Sequence, residues 1–480
     1  MTSAHGLPAP GHVSTPAEPV QPAGTTADIE ARMDRLPMTS KHRRIARVVA
    51  AGTFFDAFDS LILGIVLTVV ARSLGQGFLG TGVLISAGYL GQFIGALALG
   101  SISDRLGRRR TFLLAITVFS VLSVACTLAW NLEALTVARL LQGIGLGAEV
   151  PIAATLISEY APSLKRGRAV MLYQAIFAWG VFAAPLVGLI VFAVVDPATG
   201  WRVLFALGVL PILLVMLGRR ALPESVRWLT AKGRTAEAEH IVGAFEDTAR
   251  REGKELPEPR PAEADVARPT RLAEIFAPAY RTRTMLNGTL WFTVYFVSYG
   301  YSVWLPSLYV TIGGLQVSQA LYLTLAVGAC QLAVVYAFAL VVDRVGRRPL
   351  FLAGFGVGIA GAVLGVVMVL SGATGWPTLF AAGVLLAVGS YVPAAGLYLY
   401  IPELYPTRIR AWGTAAGSSM NRLASVIAPT VVGALLAGGL GLGSVFVMFG
   451  VVLLIGLAAM IAWGIETKGR SLEETGDLVG

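Results

Sequence analysis

The sequence predicts an all-α membrane protein with twelve transmembrane helices in two pseudo-symmetric six-helix halves. Of its 480 residues, 55% are hydrophobic and only 14% are charged, with a mean hydropathy of +0.71. Soluble domains average about 25% charged residues. The chain also contains twelve apolar runs, each near the ~20 residues that cross ~30 Å of hydrocarbon. An internal repeat relates the two halves of the chain.

The predicted spans follow one another closely, except at one long charged loop in the middle of the chain. They cover 48–71, 80–102, 111–130, 135–159, 169–191, 201–218, 285–311, 318–342, 350–371, 377–401, 411–438 and 441–465. The expected organisation is a disordered or amphipathic N-terminus (1–46), a six-helix bundle (47–219), a loop (220–283), a second bundle (284–466) and a tail (467–480). Residues 1–27 are rich in Pro, Ala and Thr without an apolar core, which is typical of disorder.

The positive charges predict the orientation in the membrane. Of the 37 Lys and Arg residues, 33 fall on one side of the predicted spans. The positive-inside rule therefore predicts an inner-membrane protein whose two termini and 219–283 loop are cytoplasmic. The net charge of +9 is explained by this asymmetry and by a surface that faces anionic lipid, without a nucleic acid partner. The two cysteines, one per half, predict no disulfide framework and no metal site. No cofactor is expected, and the chain is expected to be a monomer.

Two loop motifs of the first half recur in the second half. The stretch "GSISDRLGRRR" (100–110) returns as "LVVDRVGRRPL" (340–350), and "SEYAPSLKRGRA" (158–169) returns more loosely as "PELYPTRIRAWG" (402–413). Asp104 and Asp343 are 239 residues apart, and Glu159 and Glu403 are 244 apart. Motifs that repeat in order at nearly one offset indicate a duplicated six-helix unit. Paired six-helix halves with a binding site between them are a known transporter architecture.

These repeated motifs also predict a gate on the cytoplasmic face. Carboxylates and arginines there can pair across helices when this face is closed and separate when it opens, whereas topology anchors alone would not require acidic residues beside the basic ones. The alternative is that the charges only anchor the topology. The predicted gate residues are Asp104, Arg105, Arg108, Glu159, Arg166, Asp343, Arg344, Arg347, Glu403 and Arg408.

The loop motifs, with "RLLQGIGLGAEVP" in the fourth span, resemble the signature sequences of the major facilitator superfamily. More narrowly, "LPESVRWL", "PELYPTRIRAWG" and "ETKGRSLEE" resemble its sugar-porter-like branch, which also holds organic-ion, aromatic-acid and synaptic-vesicle-glycoprotein-like members. The stretches "DRLPMTSKHRRIARVVAAGTFFDAFD" and "SYGYSVWLPSLYV" resemble its organic-acid and metabolite proton symporters. The resemblance covers residues 32–475 and implies the major facilitator fold and secondary active transport.

Two departures from known subgroups bear on the substrate. Sugar porters resemble one another in a Gln-Gln pair and an Asn in the seventh span, where this chain reads "NGTLWFTVYFVSYGYSVWLP". A sugar substrate is therefore disfavoured. It remains an alternative because Gln142, Gln174 and Gln331 lie within the spans. Drug antiporters carry a Gly-rich motif with Pro in the fifth span, and "GVFAAPLVGLI" (180–190) matches it only in part. Export stays as a second alternative.

Charged residues within the spans predict a proton-coupling site. In "FFDAFDSLILGIVLTVVA" (54–71), Asp56 lies nine residues beyond Arg47, roughly 14 Å into the bilayer at 1.5 Å per residue. An acid at a helix centre costs ~2.5–3.5 kcal/mol on insertion scales and usually lines a cavity or is paired. The predicted proton-coupling residues are Asp56, Asp59, Glu149 and Arg139. The alternatives are a permanently neutral or helix-capping pair of aspartates and a static ion pair of Arg139.

A cation in the eleventh span predicts an anionic substrate. Arg422 lies at much the same depth as Asp56 and could bind a carboxylate with two parallel hydrogen bonds; the alternative is a permanent pair with an acid of the first half. Nearby aromatic residues could wall a ring-sized pocket. The predicted substrate-binding residues are Arg422, Gln142, Gln174, Trp291, Tyr295, Tyr299 and Tyr398.

Together these features predict a carrier that imports a small organic anion, an aromatic acid among the candidates, with protons by alternating access. Sugar or polyol symport, drug or metabolite export, and a non-transporting sensor that signals through the 219–283 loop are the alternatives. No phosphate loop, catalytic triad or metal-ligand spacing appears in the sequence, so an enzyme is not expected.

Overall fold

The computed structural model describes residues 26–75, 77–160, 166–259, 271–406 and 408–469. It does not describe the side chains at 26–27, 99–101, 150, 154, 158 and 166–174. The expected disorder of residues 1–27 therefore falls almost wholly outside the described residues. Within the described ranges, all regular secondary structure is helical.

The first half consists of long helices in antiparallel succession, after a short helix α1 (Thr26–Asp34). They are α2 (Ser40–Ser73), α3 (Phe78–Leu106), α4 (Arg108–Thr127), α5 (Leu132–Tyr160), α6 (Arg166–Val194), α7 (Pro197–Ala206) and α8 (Ile212–Ala221), the last two joined by a 3-10 turn (Leu207–Val209). The loop between the halves contains α9 (Val226–Ala231), α10 (Thr235–Arg251) and a 3-10 helix (Leu272–Phe276).

The second half repeats this succession. It consists of α11 (Pro278–Ser302), α12 (Leu305–Thr311), α13 (Val317–Val345), α14 (Arg347–Leu370), α15 (Trp376–Glu403), α16 (Arg410–Ala437) and α17 (Gly441–Trp463). We call the side of the bundle that carries α1, α9 and α10 the loop side, and the opposite side the far side. In both halves, the connection between the second and third spans lies on the loop side.

In the described part of the chain, eleven helices are long and apolar enough to cross a membrane. The one predicted span that is not among these eleven, 285–311, is the seventh in order and corresponds to α11 with its continuation α12. Helix α11 has 25 residues, enough to cross the hydrocarbon layer, but it is more polar than the others. Asn287, Thr293 and Ser298 of this helix are buried inside the bundle. Its polarity is therefore that of an interior helix.

Each half has a tight glycine turn on the loop side, closed by a glutamate. Gly107 and Gly346 have φ of +99° and +105°, a conformation that favours glycine because it has no Cβ. A Cβ at either position would collide with the carboxylate of Glu224 or Glu466. Those carboxylates accept hydrogen bonds from the first backbone N–H groups of the next helix, at 3.0 Å from Arg109 and 2.9 Å from Arg347. The two glutamates are 242 residues apart and form a third element of the repeat.

The two halves contact each other from the middle of the bundle to the far side. Helix α3 packs against α16, α6 against α13, and α2 against α12. Glycines permit this close approach, since a Cβ at Gly64 would lie 2.6 Å from the Val303 carbonyl oxygen. Near the far side, Thr430 Oγ1 lies 2.7 Å from Ser86 Oγ. Trp179 Nε1 donates to the Tyr336 hydroxyl near the middle, at 3.1 Å.

The loop helices α9 and α10 and the N-terminal helix α1 form a compact cap on the first half. Ile29 and Met33 of α1 pack with Val242 and Phe245 of α10 in a buried cluster that also includes the loop-side ends of α2, α4 and α5. The carboxylate of Glu246 binds Arg32 at 2.9 Å and Arg35 at 2.6 Å. Burial acts to raise the pKa of Glu246, but the hydrogen bonds from the two arginines outweigh burial and lower it. The cap is therefore fixed to the first half.

Candidate functional site

A cavity of about 120 Å³ lies between the two halves. The helices α2, α3, α6, α11, α13, α15 and α16 contribute side chains to its wall. Its polar and aromatic lining residues are Thr53, Asp56, Ser60, Tyr89, Phe177, Tyr295, Ser298, Tyr299, Ser302, Gln331, Tyr391, Tyr398, Asn421 and Arg422. Six residues singled out by the sequence therefore meet here: Asp56, Tyr295, Tyr299, Gln331, Tyr398 and Arg422.

Arg422 brings a cation to the cavity without a carboxylate partner among the described residues. Its Nη1 donates a hydrogen bond to the side-chain oxygen of Gln92 on α3, a neutral group from the other half. Neither Asp56 nor another described acid forms an ion pair with it. A guanidinium has five N–H donors, so most of its binding capacity stays available. The arrangement is suited to an anionic ligand.

Asp56 faces the same cavity, and its side chain is nearly inaccessible to solvent. The residue is 3% exposed, and its Oδ1 is buried without a hydrogen-bond partner in the described structure. The sequence places Asp59 one turn further along α2, but the structure gives Asp59 a different environment. The two aspartates therefore do not form one site.

Asp59 belongs to a buried network inside the first half. Arg139 Nη1 lies 2.8 Å from Asp59 Oδ2 and donates to Gln142 Oε1 at 2.7 Å. Gln142 Nε2 in turn donates to Asp59 Oδ1 at 3.2 Å and to Ser123 Oγ at 2.7 Å. None of these four residues lines the cavity. Gln142, predicted to bind substrate, is instead a member of this network behind the wall.

Glu149 lies one layer behind the cavity wall. Thr53, which lines the cavity, donates to Glu149 Oε1 at 3.2 Å. The other carboxylate oxygen of Glu149 is buried and has no described hydrogen-bond partner. A Cβ at Gly52 would lie 2.7 Å from Glu149 Oε1, so this glycine makes room for the carboxylate. Glu149 is thus connected to the cavity through Thr53.

Aromatic side chains form one wall of the cavity. Trp291, Tyr295 and Tyr299 are four residues apart on α11 and share one face. The Trp291 and Tyr295 rings stack with centroids 5.3 Å apart, and Tyr295 and Tyr299 stack at 5.8 Å. Tyr398 of α15 meets Trp291 edge-on at 5.0 Å. The tyrosines line the cavity, whereas Trp291 supports them from behind.

Several residues of the wall were not predicted from the sequence. Tyr89 of α3 lies against Tyr299, with ring centroids 4.8 Å apart. Tyr391 also lines the cavity and lies two helical turns before Tyr398 on α15. The spacing of seven residues between Tyr391 and Tyr398, in an otherwise apolar span, is a signal that could have identified Tyr391. Asn421 and Ser298 also line the cavity. The sequence predicted only their neighbours, Arg422 and Tyr299, as substrate-binding residues.

The predicted gate charges pair within each half. In the first half Arg108 binds Asp104 at 2.9 Å; in the second, Arg347 binds Asp343 at 3.1 Å and Glu403 at 3.0 Å. Asp104 and Asp343 are 71% and 80% exposed in their side chains, so they retain accessible oxygens.

The other predicted gate residues lie around these pairs. Arg408 binds Glu274, and the backbone carbonyl of Arg344 accepts from Lys468. Arg105 is exposed and Glu159 is partly buried. The side chains of the predicted residues Arg166 and Gln174 lie outside the described structure.

A cavity lined by residues of both six-helix halves, near the middle of the long helices, is the arrangement of a membrane carrier. The chain belongs to the sugar (and other) transporter family, whose sequence pattern matches residues 49–478. This confirms the twelve-helix fold and the transporter class predicted from the sequence, and the chain resembles transporters, not enzymes.

Individual relatives are similar along almost their whole length. A niacin transporter of Acinetobacter baylyi is 32% identical over 453 residues, which cover 94% of this chain and 100% of the relative. A gallate transporter of Pseudomonas putida is 32% identical over 457 residues, covering 92% and 96%. A solved proton:xylose symporter has a TM-score of 0.69 at 20% identity, with 92% of this chain and 99% of that chain covered. At that identity, the likeness concerns the fold.

Proposed function

We propose that the chain imports a small organic anion together with protons by alternating access. The observation that carries this proposal is that Arg422 and Asp56, one from each half, line the same buried cavity, while Arg422 holds no carboxylate. Niacin and gallate, for which two relatives are named, are aromatic carboxylic acids. Their chemistry supports an aromatic acid as the substrate class.

The carboxylate of the substrate binds Arg422 in this proposal. The planar guanidinium can donate two parallel hydrogen bonds to a carboxylate, a geometry that adds specificity to charge. The aromatic ring then lies against Tyr295, Tyr299 and Tyr398, whose faces and edges suit stacked or edge-to-face contact. A neutral sugar would leave the Arg422 charge in the cavity without a counter-ion.

Asp56 is the carboxyl group that carries the coupled proton in this proposal. It faces the cavity, and its Oδ1 has no described partner. The two oxygens of Asp59 already accept hydrogen bonds from Arg139 and Gln142, so Asp59 is held as the counter-ion of Arg139. Glu149, which is connected to the cavity by Thr53, is a second proton carrier.

The proposed orientation makes the loop side cytoplasmic, as the positive-inside rule indicates. The contacts between the halves then lie from the membrane centre to the periplasmic side, so the structure corresponds to a state closed toward the periplasm. The exposed carboxylates of Asp104 and Asp343 would pair across the halves when the cytoplasmic side closes. The carrier acts as a monomer in the inner membrane, with both termini in the cytoplasm.

The test compares acids with their amides. Binding of nicotinate, nicotinamide, benzoate and benzamide to the purified protein is measured for wild type, Arg422→Ala and Arg422→Lys. Wild type should prefer each acid over its amide by roughly ten- to hundredfold, the value of a charged hydrogen bond. Arg422→Ala should lose this preference, and Arg422→Lys should keep only part of it, because an ammonium lacks the planar pair of donors.

Arg72→Ala is the matched control, since Arg72 is exposed and lies on the far side. It should leave the preference for acids unchanged. If the wild type binds acid and amide equally well, or takes up xylose and none of the acids in proteoliposomes, the organic-anion proposal is wrong. Uptake of the preferred acid should also increase when a pH gradient, acidic outside, is imposed.

A further inference from the structure

Four side chains of the cavity wall each have one oxygen that is buried without a described hydrogen-bond partner. These oxygens are Asp56 Oδ1, Tyr89 Oη, Ser298 Oγ and Asn421 Oδ1. Buried polar atoms in proteins are nearly always hydrogen-bonded, so each exception requires an explanation. Four exceptions around one cavity have a common explanation, which is a ligand that supplies the missing partners.

The chemistry of these four oxygens restricts that ligand. The Asn421 side-chain oxygen can only accept a hydrogen bond, and an ionised Asp56 likewise only accepts. The hydroxyls of Tyr89 and Ser298 can donate or accept. The wall therefore offers a cation in Arg422 and a surplus of acceptors elsewhere. Its complement is a molecule with one anionic group and at least one hydrogen-bond donor.

We propose that the cavity selects aromatic acids that carry a hydroxyl or amino donor on the ring, and that Asn421 accepts the hydrogen bond from this donor. This inference rests on the proposed function, because it assumes that the carboxylate binds Arg422. Ser298 is a second acceptor, on the neighbouring helix α11, next to the stacking residue Tyr299. An acid with an unsubstituted ring would bind Arg422 and the tyrosines but leave the Asn421 oxygen without a partner.

The experiment uses ring-substituted benzoates with the full-length protein. Dissociation constants are measured for benzoate, the three monohydroxybenzoates and the three corresponding methoxybenzoates. A methoxy group keeps the oxygen but removes the donor. The wild type should bind at least one hydroxybenzoate about tenfold more tightly than the matching methoxybenzoate. This factor is expected because the methoxy compound leaves a buried acceptor without a hydrogen bond. The isomer with the largest ratio gives the position of the donor.

Single-residue variants then test which side chain causes the preference for hydroxybenzoates over methoxybenzoates. In Asn421→Leu, which has a similar volume but no acceptor, the hydroxy-to-methoxy ratio should fall to about one, while benzoate still binds within about threefold of wild type. Ser298→Ala should reduce the ratio by a smaller factor. Ser60→Ala is the matched control, because Ser60 lines the same cavity but does not have a buried oxygen without a partner. Its ratio should equal that of wild type.

The possible outcomes separate this inference from the proposed function. If wild type binds hydroxy and methoxy acids equally for every isomer, the donor inference is overturned, although an acid-over-amide preference would leave the organic-anion proposal intact. If Asn421→Leu binds benzoate normally and keeps the wild-type ratio, Asn421 is not the acceptor. If wild type binds none of the benzoates and binds nicotinate no better than nicotinamide, the proposed function itself fails. Benzoate binding by each variant shows that its cavity is folded.

Discussion

Two arginines at membrane depth differ in the partners that their guanidinium groups hold. Arg139 is 5% exposed and pairs with Asp59 inside the first half. Arg422 instead contacts the neutral side chain of Gln92 on the other half. A buried charge is stabilised when it is paired and hydrogen-bonded. Arg139 therefore has its counter-ion within the protein, whereas no described carboxylate forms an ion pair with Arg422.

The two aspartates of α2 likewise differ in whether they hold a charged partner, so we expect different effects when each is replaced. Asp56→Asn should abolish accumulation driven by a pH gradient, because the proposed proton carrier is removed, while substrate counterflow continues. Asp59→Asn should instead lower the thermal stability, since breaking one side of a buried pair costs about 3–5 kcal/mol. Uptake with and without a pH gradient, counterflow and thermal unfolding measure these effects.

Asp59→Asn serves as the control for Asp56→Asn, because both remove one carboxylate from the same turn of α2. An Asp56→Asn protein that still accumulates substrate in response to a pH gradient would remove Asp56 from the coupling mechanism. A thermal stability of Asp59→Asn equal to that of wild type would contradict the structural role of the Asp59–Arg139 pair.

At the scale of single elements, the glutamates that close the glycine turns stabilise the helices that follow. Glu466 accepts hydrogen bonds from the backbone N–H groups of Arg347 and Arg348, at 2.9 Å and 3.0 Å. A carboxylate at a helix N-terminus binds free N–H groups and interacts favourably with the helix dipole. Burial acts to raise the pKa of Glu466, but these backbone hydrogen bonds outweigh burial and lower it.

Glu466→Gln should therefore reduce the free energy of unfolding at pH 7 by about 1 kcal/mol, the usual value of a helix cap. Because the pKa of Glu466 is lowered in the folded state, its contribution is fully present above the ordinary glutamate value of about 4.5. The contribution is lost as the pH falls through the lowered folded-state pKa. The difference in thermal unfolding temperature between wild type and variant should be clear at pH 7 and shrink below pH 4.5.

Asp343→Asn is the control for this experiment. Asp343 precedes the same glycine turn, but its side chain is 80% exposed, and exposed ion pairs contribute little to stability. Its unfolding temperature should stay close to that of wild type at pH 7. Equal stability of Glu466→Gln and wild type at this pH would show that the cap has no energetic role.

At the scale of the whole molecule, glycines set how closely the halves approach on the far side. A Cβ at Gly82 of α3 would lie 3.0 Å from the Pro429 carbonyl oxygen of α16. A larger side chain must therefore separate the two halves there. Packed interfaces between two rigid bodies adopt discrete arrangements, so such a substitution should favour the state that is open on the far side.

Gly82→Leu should raise the accessibility of the cavity from the far side. A single cysteine at Ser60, on the cavity wall, would be labelled with a membrane-impermeant maleimide in intact cells, in a background without Cys126 and Cys330. We expect labelling to increase at least severalfold relative to the parent protein. Gly77→Leu is the control, since a Cβ at Gly77 meets no atom within 4 Å. Unchanged or reduced labelling of Gly82→Leu would contradict a closed far side in this structure.

The order of residues along the chain is enough to predict the spans, the duplication and the presence of three carboxyls and two arginines within the spans. These features are local, because the hydropathy of about twenty residues decides insertion and flanking charges decide orientation. The motif repeat likewise required only the order of residues along the chain. The seventh span was recognised although α11 is too polar to be among the eleven apolar helices.

Which of these residues face the cavity depends on how the helices pack in three dimensions. The tertiary structure separated Asp56 from Asp59, moved Gln142 and Trp291 behind the wall, and added Tyr89, Tyr391, Ser298 and Asn421. It also showed that the loop helices α9 and α10 form a packed cap with α1. The physical reason is that these helices are apolar on nearly all faces, so sequence periodicity does not give their rotation. Rotation and pairing are set by packing between residues that are distant along the chain.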